Sequence, residues 1–446
     1  MVRLIFWLLI VVCVAVNSIV FYFDIIELLI SFVNVILSYY YLSKIKSIQS
    51  NLASTLLFVY IVLSTLFCAT IQIDSQKYSF EDFQKLAVFS NHLLLVFLSV
   101  TSFLWSLRQS NDEDNYNISG EYYDKMYSPR YVWSLLGIAF TLTIISRILG
   151  LGVMGHEAVV LPFKIGGIIM YMRKTIISYL FLMVFIKNRN DVYLKRYVLV
   201  YFCWALFECF VMLSKSILLT NFLPLITYIL LSNNGLKKRD LKYVLVIVGI
   251  FFTLYPIIGS LRYVKSSGSF FETINKAEQI HHENNGDDNF VEKPFLRTFS
   301  TGTYYMNALP YIKSSESSIF DFSRLPIIVS MGGSAAYTTF VIEGYSKGVH
   351  HSSGTTGIID PLLIGGYGFT YSMVLLLVLF ANYIDGDRMK GKMALKVFLL
   401  LLFFDLVRGY TISRFLDPLA PSFVLTTVFL IFYLYRESKY VVFYEK

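Results

Sequence analysis

The sequence has little charge and few cysteines. Only 15% of its 446 residues are Asp, Glu, Lys or Arg, against about 25% in an ordinary soluble domain. The 4 cysteines fall in apolar stretches, so they predict no disulfide framework. The sequence contains no Gly-x-x-x-x-Gly-Lys-Ser/Thr loop, no His-Glu-x-x-His and no Cys-x-x-Cys, and ATP hydrolysis or a zinc centre therefore lacks its usual ligands. We expect neither a cofactor nor a metal ion.

Apolar residues are abundant instead. They make up 56% of the chain, and aromatic residues make up 17%. A water-soluble protein cannot cover that much apolar surface, so this composition predicts a polytopic membrane protein with the lipid bilayer as its first partner. The net charge of +8 is spread over the loops in short clusters. Such clusters indicate membrane topology, and we expect no nucleic-acid partner.

Apolar runs long enough to cross a bilayer recur along the chain. A spanning helix needs about 20 apolar residues, or about 17 if it is short. The runs lie near 4–22, 26–43, 52–73, 88–107, 131–149, 166–186, 197–213, 217–232, 243–261, 363–384, 393–408 and 421–435. They predict an all-α integral membrane protein with about twelve transmembrane helices. The first run lacks a signal-peptide cleavage site, and we expect it to be a retained anchor.

The basic loops predict the orientation of these helices. With the N-terminus in the cytoplasm, the clusters at 44–46, 187–196, 237–242 and 388–392 all lie inside, as the positive-inside rule requires. Both termini are then cytoplasmic. The chain divides into helices one to nine at 1–261, a periplasmic segment at 262–361, and helices ten to twelve at 362–446. Within the long segment, the Gly- and Ser-rich run at 325–341 is expected to be re-entrant or periplasmic.

Six basic residues break the positive-inside rule, because they fall near the predicted outer ends of helices. They are Arg147, Arg173, Lys215, Arg262, Arg408 and Arg414. An arginine at the bilayer centre costs about 2.5–3.5 kcal/mol even on a mild scale, and guanidinium groups match phosphate oxygens in bidentate geometry. The set predicts a binding site for a lipid-linked pyrophosphate. The alternative is that each residue extends to the interface or pairs with an acid such as Glu208.

Candidate catalytic residues cluster just before the tenth predicted span. His350, His351 and Asp360 lie in a Gly- and Ser-rich stretch that leads into the glycines at 365–368. Histidine can take a proton from an attacking sugar hydroxyl near neutral pH. We predict that His351, or failing that Asp360, performs this role. The alternative is a solvated loop whose histidines have no function.

Aromatic residues in the long segment are candidates for glycan binding. Tyr304, Tyr305 and Tyr345 have flat apolar faces with a polar tip, which suits a carbohydrate as well as a protein core. For any single tyrosine, packing in the core is the favoured interpretation. His92 lies in an apolar run, and we expect a buried residue whose hydrogen bonds are satisfied.

The chain resembles the Wzy-type polymerases of O-antigen repeat units, which are related in architecture to the O-antigen ligases. The resemblance covers the whole chain in its helix number, cytoplasmic termini, two enlarged periplasmic segments and basic residues at outer helix ends. At residue level, His351-Ser352 followed by the glycines at 365–368 is similar to a ligase pattern, with Ser352 in the place of an asparagine.

This resemblance implies a GT-C-like architecture in the bacterial inner membrane and a role in lipopolysaccharide biosynthesis. The implied enzyme is a metal-independent glycosyltransferase. It moves the growing glycan from undecaprenyl pyrophosphate onto an incoming undecaprenyl-pyrophosphate-linked repeat unit at the periplasmic face. A protein that regulates chain length is a candidate partner. The alternatives are an O-antigen ligase, which differs in its acceptor, and a flippase for lipid-linked oligosaccharides, which is a transporter.

Overall fold

A computed structural model shows the architecture of most of the chain. It describes residues 2–45, 51–72, 76–109, 126–151, 161–162, 165–189, 191–212, 216–231, 249, 300–312, 319–331, 337–342, 358–386, 389, 392–408 and 420–438. These residues form helices and connecting turns, and no strand occurs among them. The all-α class expected from the composition is therefore confirmed for the described part of the chain.

Thirteen helices make up most of the described part of the chain. They are α1 (Val2–Val20), α2 (Ile25–Lys44), α3 (Leu52–Ile71), α4 (Phe80–Gln109), α5 (Pro129–Ile148), α6 (Ile165–Lys187), α7 (Leu194–Val211), α8 (Ser216–Leu231), α9 (Ser300–Ile312), α10 (Leu325–Ser330), α11 (Ile359–Ile384), α12 (Met393–Arg408) and α13 (Ala420–Ser438). Short π-helical segments occur inside α3 at Val62–Phe67 and inside α6 at Met172–Ile176, and a third covers Thr338–Ile342.

Local sequence explains where several helices begin. Asp24 caps α2, because its carboxylate accepts a hydrogen bond from the Glu27 amide at 2.8 Å. Ser128 caps α5 in the same way through Tyr131, and Pro129 occupies the first helical position, where a missing amide proton is harmless.

Seven of the described helices are long and apolar enough to cross a membrane: α1, α2, α3, α4, α5, α6 and α11. Eleven of the twelve predicted spans coincide with a helix of the structure. The twelfth, at 243–261, lies outside the described residues apart from position 249. The shorter matches include α8 and α12, which have 16 residues each. The exact number of crossings therefore stays a prediction.

The chain divides into two compact units. Unit 1 comprises Met1–Tyr116, Phe290–Met389 and Leu400–Pro418, and unit 2 comprises Asn117–Asn289, Lys390–Leu399 and Leu419–Lys446. The described part of the predicted periplasmic segment belongs to unit 1, where α9 packs against α3, α4 and α11. Within that segment, α10 and the π segment at Thr338–Ile342 are each too short to cross a bilayer. Whether 325–341 is re-entrant stays a prediction.

Helix α4 is at the centre of unit 1, where it contacts α1, α2, α3, α9 and α11. Aromatic rings fill this core: Tyr41 stacks on Trp105 with ring centroids 5.0 Å apart. At one end of the unit, both carboxylate oxygens of Asp385, which follows α11, accept hydrogen bonds from the first amides of α3, at 3.0 Å from Ala53 and 2.9 Å from Ser54. This contact places the end of α11 beside the start of α3.

Unit 2 packs α5 and α8 against α7, with α6 against α8 and α13. The rings of Phe181 and Tyr201 stack in its core at 3.7 Å. At the end of unit 2 where α6 finishes, Lys187 forms an ion pair with Glu437 of α13. Tyr127, just before α5, hydrogen-bonds to the same carboxylate, and burial raises the pKa of its phenol above the ordinary range.

Candidate functional site

The head of α11 departs from helical geometry inside unit 1. Gly366 has φ 78° and ψ −170°, a conformation that is almost restricted to glycine. The backbone around it is held by the segment that precedes α10: the Gly368 amide donates to the Ile319 carbonyl at 2.8 Å, and the Asp321 amide donates to the Gly365 carbonyl at 3.1 Å. A Cβ at Gly366 would lie 3.2 Å from the Ile319 oxygen. The glycine therefore permits both the break and the close approach.

An ion pair fixes the segment that docks on this break. Arg324 Nη2 lies 2.6 Å from Asp321 Oδ2, and both side chains are about nine-tenths buried. Arg324 Nη1 also donates to the Tyr311 carbonyl at 2.9 Å. The break in α11 is thus stabilised from outside the helix by specific polar contacts.

Tyrosine hydroxyl groups lie just after the break in α11. The Tyr367 hydroxyl is 2.9 Å from that of Tyr305 on α9. The Tyr305 ring stacks on Phe89 of α4 at 4.5 Å, and Tyr371 lies one turn further along α11. These rings join α4, α9 and α11 in unit 1.

A carboxylate and an imidazole meet beside these tyrosines. His92 Nε2 on α4 lies 2.7 Å from Glu27 Oε1 on α2. The other imidazole nitrogen, Nδ1, lies 3.3 Å from the Tyr371 hydroxyl. The His92 side chain is 35% exposed and that of Glu27 only 13%, so the imidazole is the accessible member of the pair.

The Glu27 carboxylate is held by a second polar network. Asn91 Nδ2 lies 3.3 Å from Glu27 Oε2 and donates to the Ser31 hydroxyl at 2.9 Å. Asn34 Nδ2 in turn donates to the Asn91 side-chain oxygen at 2.7 Å. Because Asn34 and Asn91 are almost fully buried, this network fixes the orientation of the carboxylate.

This geometry selects one tautomer of His92. An ionised carboxylate only accepts hydrogen bonds, so Nε2 carries the proton and donates to Glu27. In the neutral imidazole, Nδ1 then carries the lone pair, to which the Tyr371 hydroxyl at 3.3 Å can donate a hydrogen bond. A neutral imidazole with one nitrogen oriented by a carboxylate and the other open to a hydroxyl can act as a general base.

Unit 2 contains a separate buried ion pair. Arg173, in the π segment of α6, places Nε 2.8 Å from Glu208 Oε1 of α7, and both side chains are 0% exposed. Asn221 of α8 donates to the other Glu208 oxygen at 2.7 Å. Arg173 Nη1 donates to the Leu151 carbonyl at 3.3 Å. The pair therefore links α6, α7, α8 and the turn after α5.

Only one of the three predicted catalytic residues lies in the described part of the chain. Asp360 is fully buried in the first turn of α11, where the helix dipole favours its negative charge. His350 and His351 lie outside the described residues, and their catalytic roles stay predictions.

The structure shows the side chains of two of the six predicted pyrophosphate ligands. Arg147 is exposed in the last turn of α5, as expected for a cation at a helix end. Arg173 is buried and paired with Glu208, which is the alternative that the sequence left open. Arg408 is the last residue of α12. The side chain of Arg408, and all of Lys215, Arg262 and Arg414, lie outside the described residues.

The predicted glycan-binding tyrosines differ in environment. Tyr305 is 1% exposed with its ring against Phe89, which confirms core packing for this residue and leaves no exposed ring face for a sugar. Tyr304 is half-buried, and Tyr345 lies outside the described residues. Glycan binding by Tyr304 and Tyr345 stays a prediction.

The His92–Glu27 pair is the feature that the sequence interpretation missed. We expected His92 to be a satisfied buried residue, but its ring is partly exposed. An ionisable residue within an apolar helix is a functional candidate by default, and both α2 and α4 carry one. The sequence therefore contained this signal, but it did not show that α2 and α4 pack so that Glu27 contacts His92.

No metal-binding cluster accompanies the pair. The described residues contain no group of three or more His, Cys, Asp or Glu side chains that could hold a metal ion. An Asp-x-Asp sequence occurs at 385–387, and its first carboxylate is engaged with the start of α3 through Ala53 and Ser54.

Fold and site together define a class: a polytopic α-helical membrane protein with a polar cluster at one end of a helical unit. Comparisons with protein families, with curated proteins and with solved structures found no match for the chain. A functional assignment therefore depends on the chemistry of the residues.

Proposed function

We propose that the protein is a membrane glycosyltransferase that polymerises lipid-linked oligosaccharide repeat units. The donor is the growing glycan on undecaprenyl pyrophosphate, and the acceptor is a hydroxyl of the incoming lipid-linked repeat unit. The bond from the anomeric carbon to the pyrophosphate oxygen breaks, and a new bond forms from that carbon to the acceptor oxygen. The reaction takes place at the periplasmic face.

The break in α11 at Gly366, close to the buried Asp360, is the observation that carries this proposal. Irregular backbone and a buried carboxylate raise the free energy of a protein at membrane depth. They are therefore found only where protein surrounds them or where they line a polar cavity. In unit 1 both occur within two turns, at Asp360 and Gly366. The same end of the unit holds His92 and a set of tyrosine hydroxyls, which suits a polar sugar substrate presented from a lipid anchor.

The cations supply the other half of the chemistry. Negative charge develops on the pyrophosphate oxygen as the glycosidic bond breaks, and preorganised positive charge is usually the largest catalytic contribution to such a step. Arg147, exposed in the last turn of α5, and Arg408, the last residue of α12, are candidates for this positive charge. An O-antigen ligase would use the same chemistry with a different acceptor.

A transporter of lipid-linked oligosaccharides is the second candidate. The Arg173–Glu208 pair in a π segment favours it, because buried charges inside a helical bundle often mark transport pathways. The two candidates predict different products in the cell, and a single deletion separates them.

Deletion of the gene in its bacterial host tests the proposal. A polymerase deletion leaves lipopolysaccharide that carries one repeat unit, because ligation of a single unit does not need chain growth. Loss of the flippase or ligase removes the repeat units altogether. Gel analysis of lipopolysaccharide should show the one-unit band, with long chains restored by the intact gene. Complete loss of repeat units would contradict the polymerase and favour the alternatives.

A further inference from the structure

The imidazole of His92 has no role in the mechanism derived so far. We propose that His92 is the general base that takes the proton from the acceptor hydroxyl, and that Glu27 is the residue that positions it. This inference rests on the proposed function and names the base of the same site. It assigns the role to a described histidine of α4 in place of His351.

The hydrogen-bond pattern is the first argument. The contact of 2.7 Å between Nε2 and Glu27 is short and charge-assisted, whereas the contact of 3.3 Å between Nδ1 and the Tyr371 hydroxyl is long for an O–H···N bond. The Glu27 contact therefore fixes the ring, and the weaker contact is the one that an incoming hydroxyl can replace. A carboxylate that orients one nitrogen while the other abstracts a proton is the general logic of catalytic triads.

The position along the helices is the second argument. Glu27 is in the first turn of α2, so the pair lies near a helix end. Helix α4 has 30 residues, which corresponds to about 45 Å at 1.5 Å per residue, whereas the hydrocarbon core is about 30 Å thick. The predicted apolar run of this helix begins near residue 88, so the turns before it extend beyond the hydrocarbon. His92 lies four residues, or about 6 Å, inside that run, close to the headgroup region, where a lipid pyrophosphate lies.

The polar network that holds the Glu27 carboxylate is the third argument. A histidine that only filled space would need no oriented carboxylate. Here Asn91 lies 3.3 Å from the carboxylate oxygen of Glu27 that does not contact the imidazole, and Asn34 and the Ser31 hydroxyl hold Asn91 in turn. Burial falls from Asn91, which is 1% exposed, through Glu27 to His92. The network is therefore buried on the asparagine side of the carboxylate, whereas the imidazole of His92 is partly exposed.

The proton and electron balance of the step is complete. The acceptor hydroxyl replaces the Tyr371 hydroxyl at Nδ1 and gives it a proton as the acceptor oxygen bonds to the anomeric carbon. The bonding pair of the old linkage leaves with the pyrophosphate. His92 becomes an imidazolium, which the Glu27 carboxylate stabilises, and it returns the proton to water or to the departing pyrophosphate.

The test uses the full-length protein in vesicles, supplied with lipid-linked repeat units extracted from the deletion strain. We expect His92→Gln to lower kcat by about 10²–10⁴-fold, the usual contribution of a general base, with KM within a few-fold. Added imidazole should partly restore the rate of His92→Ala. Glu27→Gln should lower kcat at least tenfold, and Glu27→Asp should retain more activity because it keeps the carboxylate.

One variant serves as a control. Tyr78→Phe removes a hydrogen bond of 2.9 Å to Asn307, between the turn before α4 and α9, and should leave kcat within twofold. Size-exclusion chromatography verifies folding; if His92→Gln does not fold, the isosteric Glu27→Gln decides instead.

The outcomes separate this inference from the proposed function. A wild-type protein that makes no chains from the extracted units overturns both. A wild-type protein that makes chains, together with His92→Gln at a similar kcat, overturns the role of His92 alone. The role of His92 is also overturned if His92→Gln changes only KM, or if added imidazole does not restore the rate of His92→Ala. Where Glu27→Gln is the deciding variant, an unchanged kcat overturns the role of His92.

Discussion

At the scale of single residues, Arg173 and Glu208 bury opposite charges completely. Such a pair is costly to desolvate, and its two charges are stable inside the protein only together. Asn221 and the Leu151 carbonyl satisfy further hydrogen bonds of the pair. The sequence suggested Glu208 as a partner for a nearby cation, but the choice of Arg173 depends on how α6 and α7 pack.

We predict that removing one charge of this pair is worse than removing both. Arg173→Met or Glu208→Leu alone leaves an uncompensated buried charge and should destabilise the protein by about 3–5 kcal/mol. The double variant should be closer to wild type. Thermal unfolding in detergent measures this. The matched control is Lys195→Met, an exposed charge on the same helix as Glu208, which should change stability by less than about 0.5 kcal/mol. Additive losses in the double variant would contradict the pairing.

At the scale of elements, the helices depart from regular geometry in two ways. In the π segment of α3, the Ser64 and Thr65 hydroxyls donate to the carbonyls of Tyr60 and Ile61 at 2.5 and 2.7 Å, which supports the irregular turn. In α11 the break at Gly366 is held by the segment before α10. Apolar periodicity cannot predict either feature, because both depend on hydrogen bonds and on contacts with distant segments.

Substitution at the break should destabilise the protein. Gly366→Ala places a side chain in a conformation that costs about 1–3 kcal/mol for residues other than glycine, and its Cβ would crowd the Ile319 oxygen. We expect a lower unfolding temperature and, under the proposed function, loss of polymerisation. Gly137→Ala, inside α5 with no atom within 4 Å of the new Cβ, should be neutral or stabilise by about 0.5–1 kcal/mol. Equal unfolding temperatures for the two variants would refute the constraint.

At the scale of the whole molecule, the apolar helices and the turns between them determine the membrane topology. Helices α1 and α2 bury only 22% and 28% of their apolar windows within the protein, so most of their surface is suited to lipid. Five candidate spans, α2 to α6, separate the turn at Tyr22 from the turn at Val192. We predict that all five cross the membrane, which would place these two turns on opposite sides of it.

Labelling of single cysteines tests this topology. In a background without the four native cysteines, Tyr22→Cys and Val192→Cys introduce thiols at positions that are 84% and 88% exposed. We expect a membrane-impermeant maleimide to label Tyr22→Cys in intact spheroplasts and Val192→Cys only after permeabilisation. The reverse pattern would overturn the positive-inside orientation. Labelling of both in intact spheroplasts would show that one of the five helices does not cross.

Sequence alone determined the class of this protein, because the hydrophobic effect acts on composition and on the length of apolar runs. Eleven predicted spans coincide with helices for that reason. It also located the glycine-rich head of α11 and the exposed Arg147. Those features depend on local sequence and on distance from a helix end.

Only the tertiary structure decided which side chains meet. His92 is 65 residues from Glu27 and 279 residues from Tyr371, so three different helices meet at its imidazole. The burial of Tyr305 and the pairing of Arg173 with Glu208 likewise depend on the register between packed helices. Register follows from the fit of many side chains at once, and a linear pattern of apolar residues does not contain it.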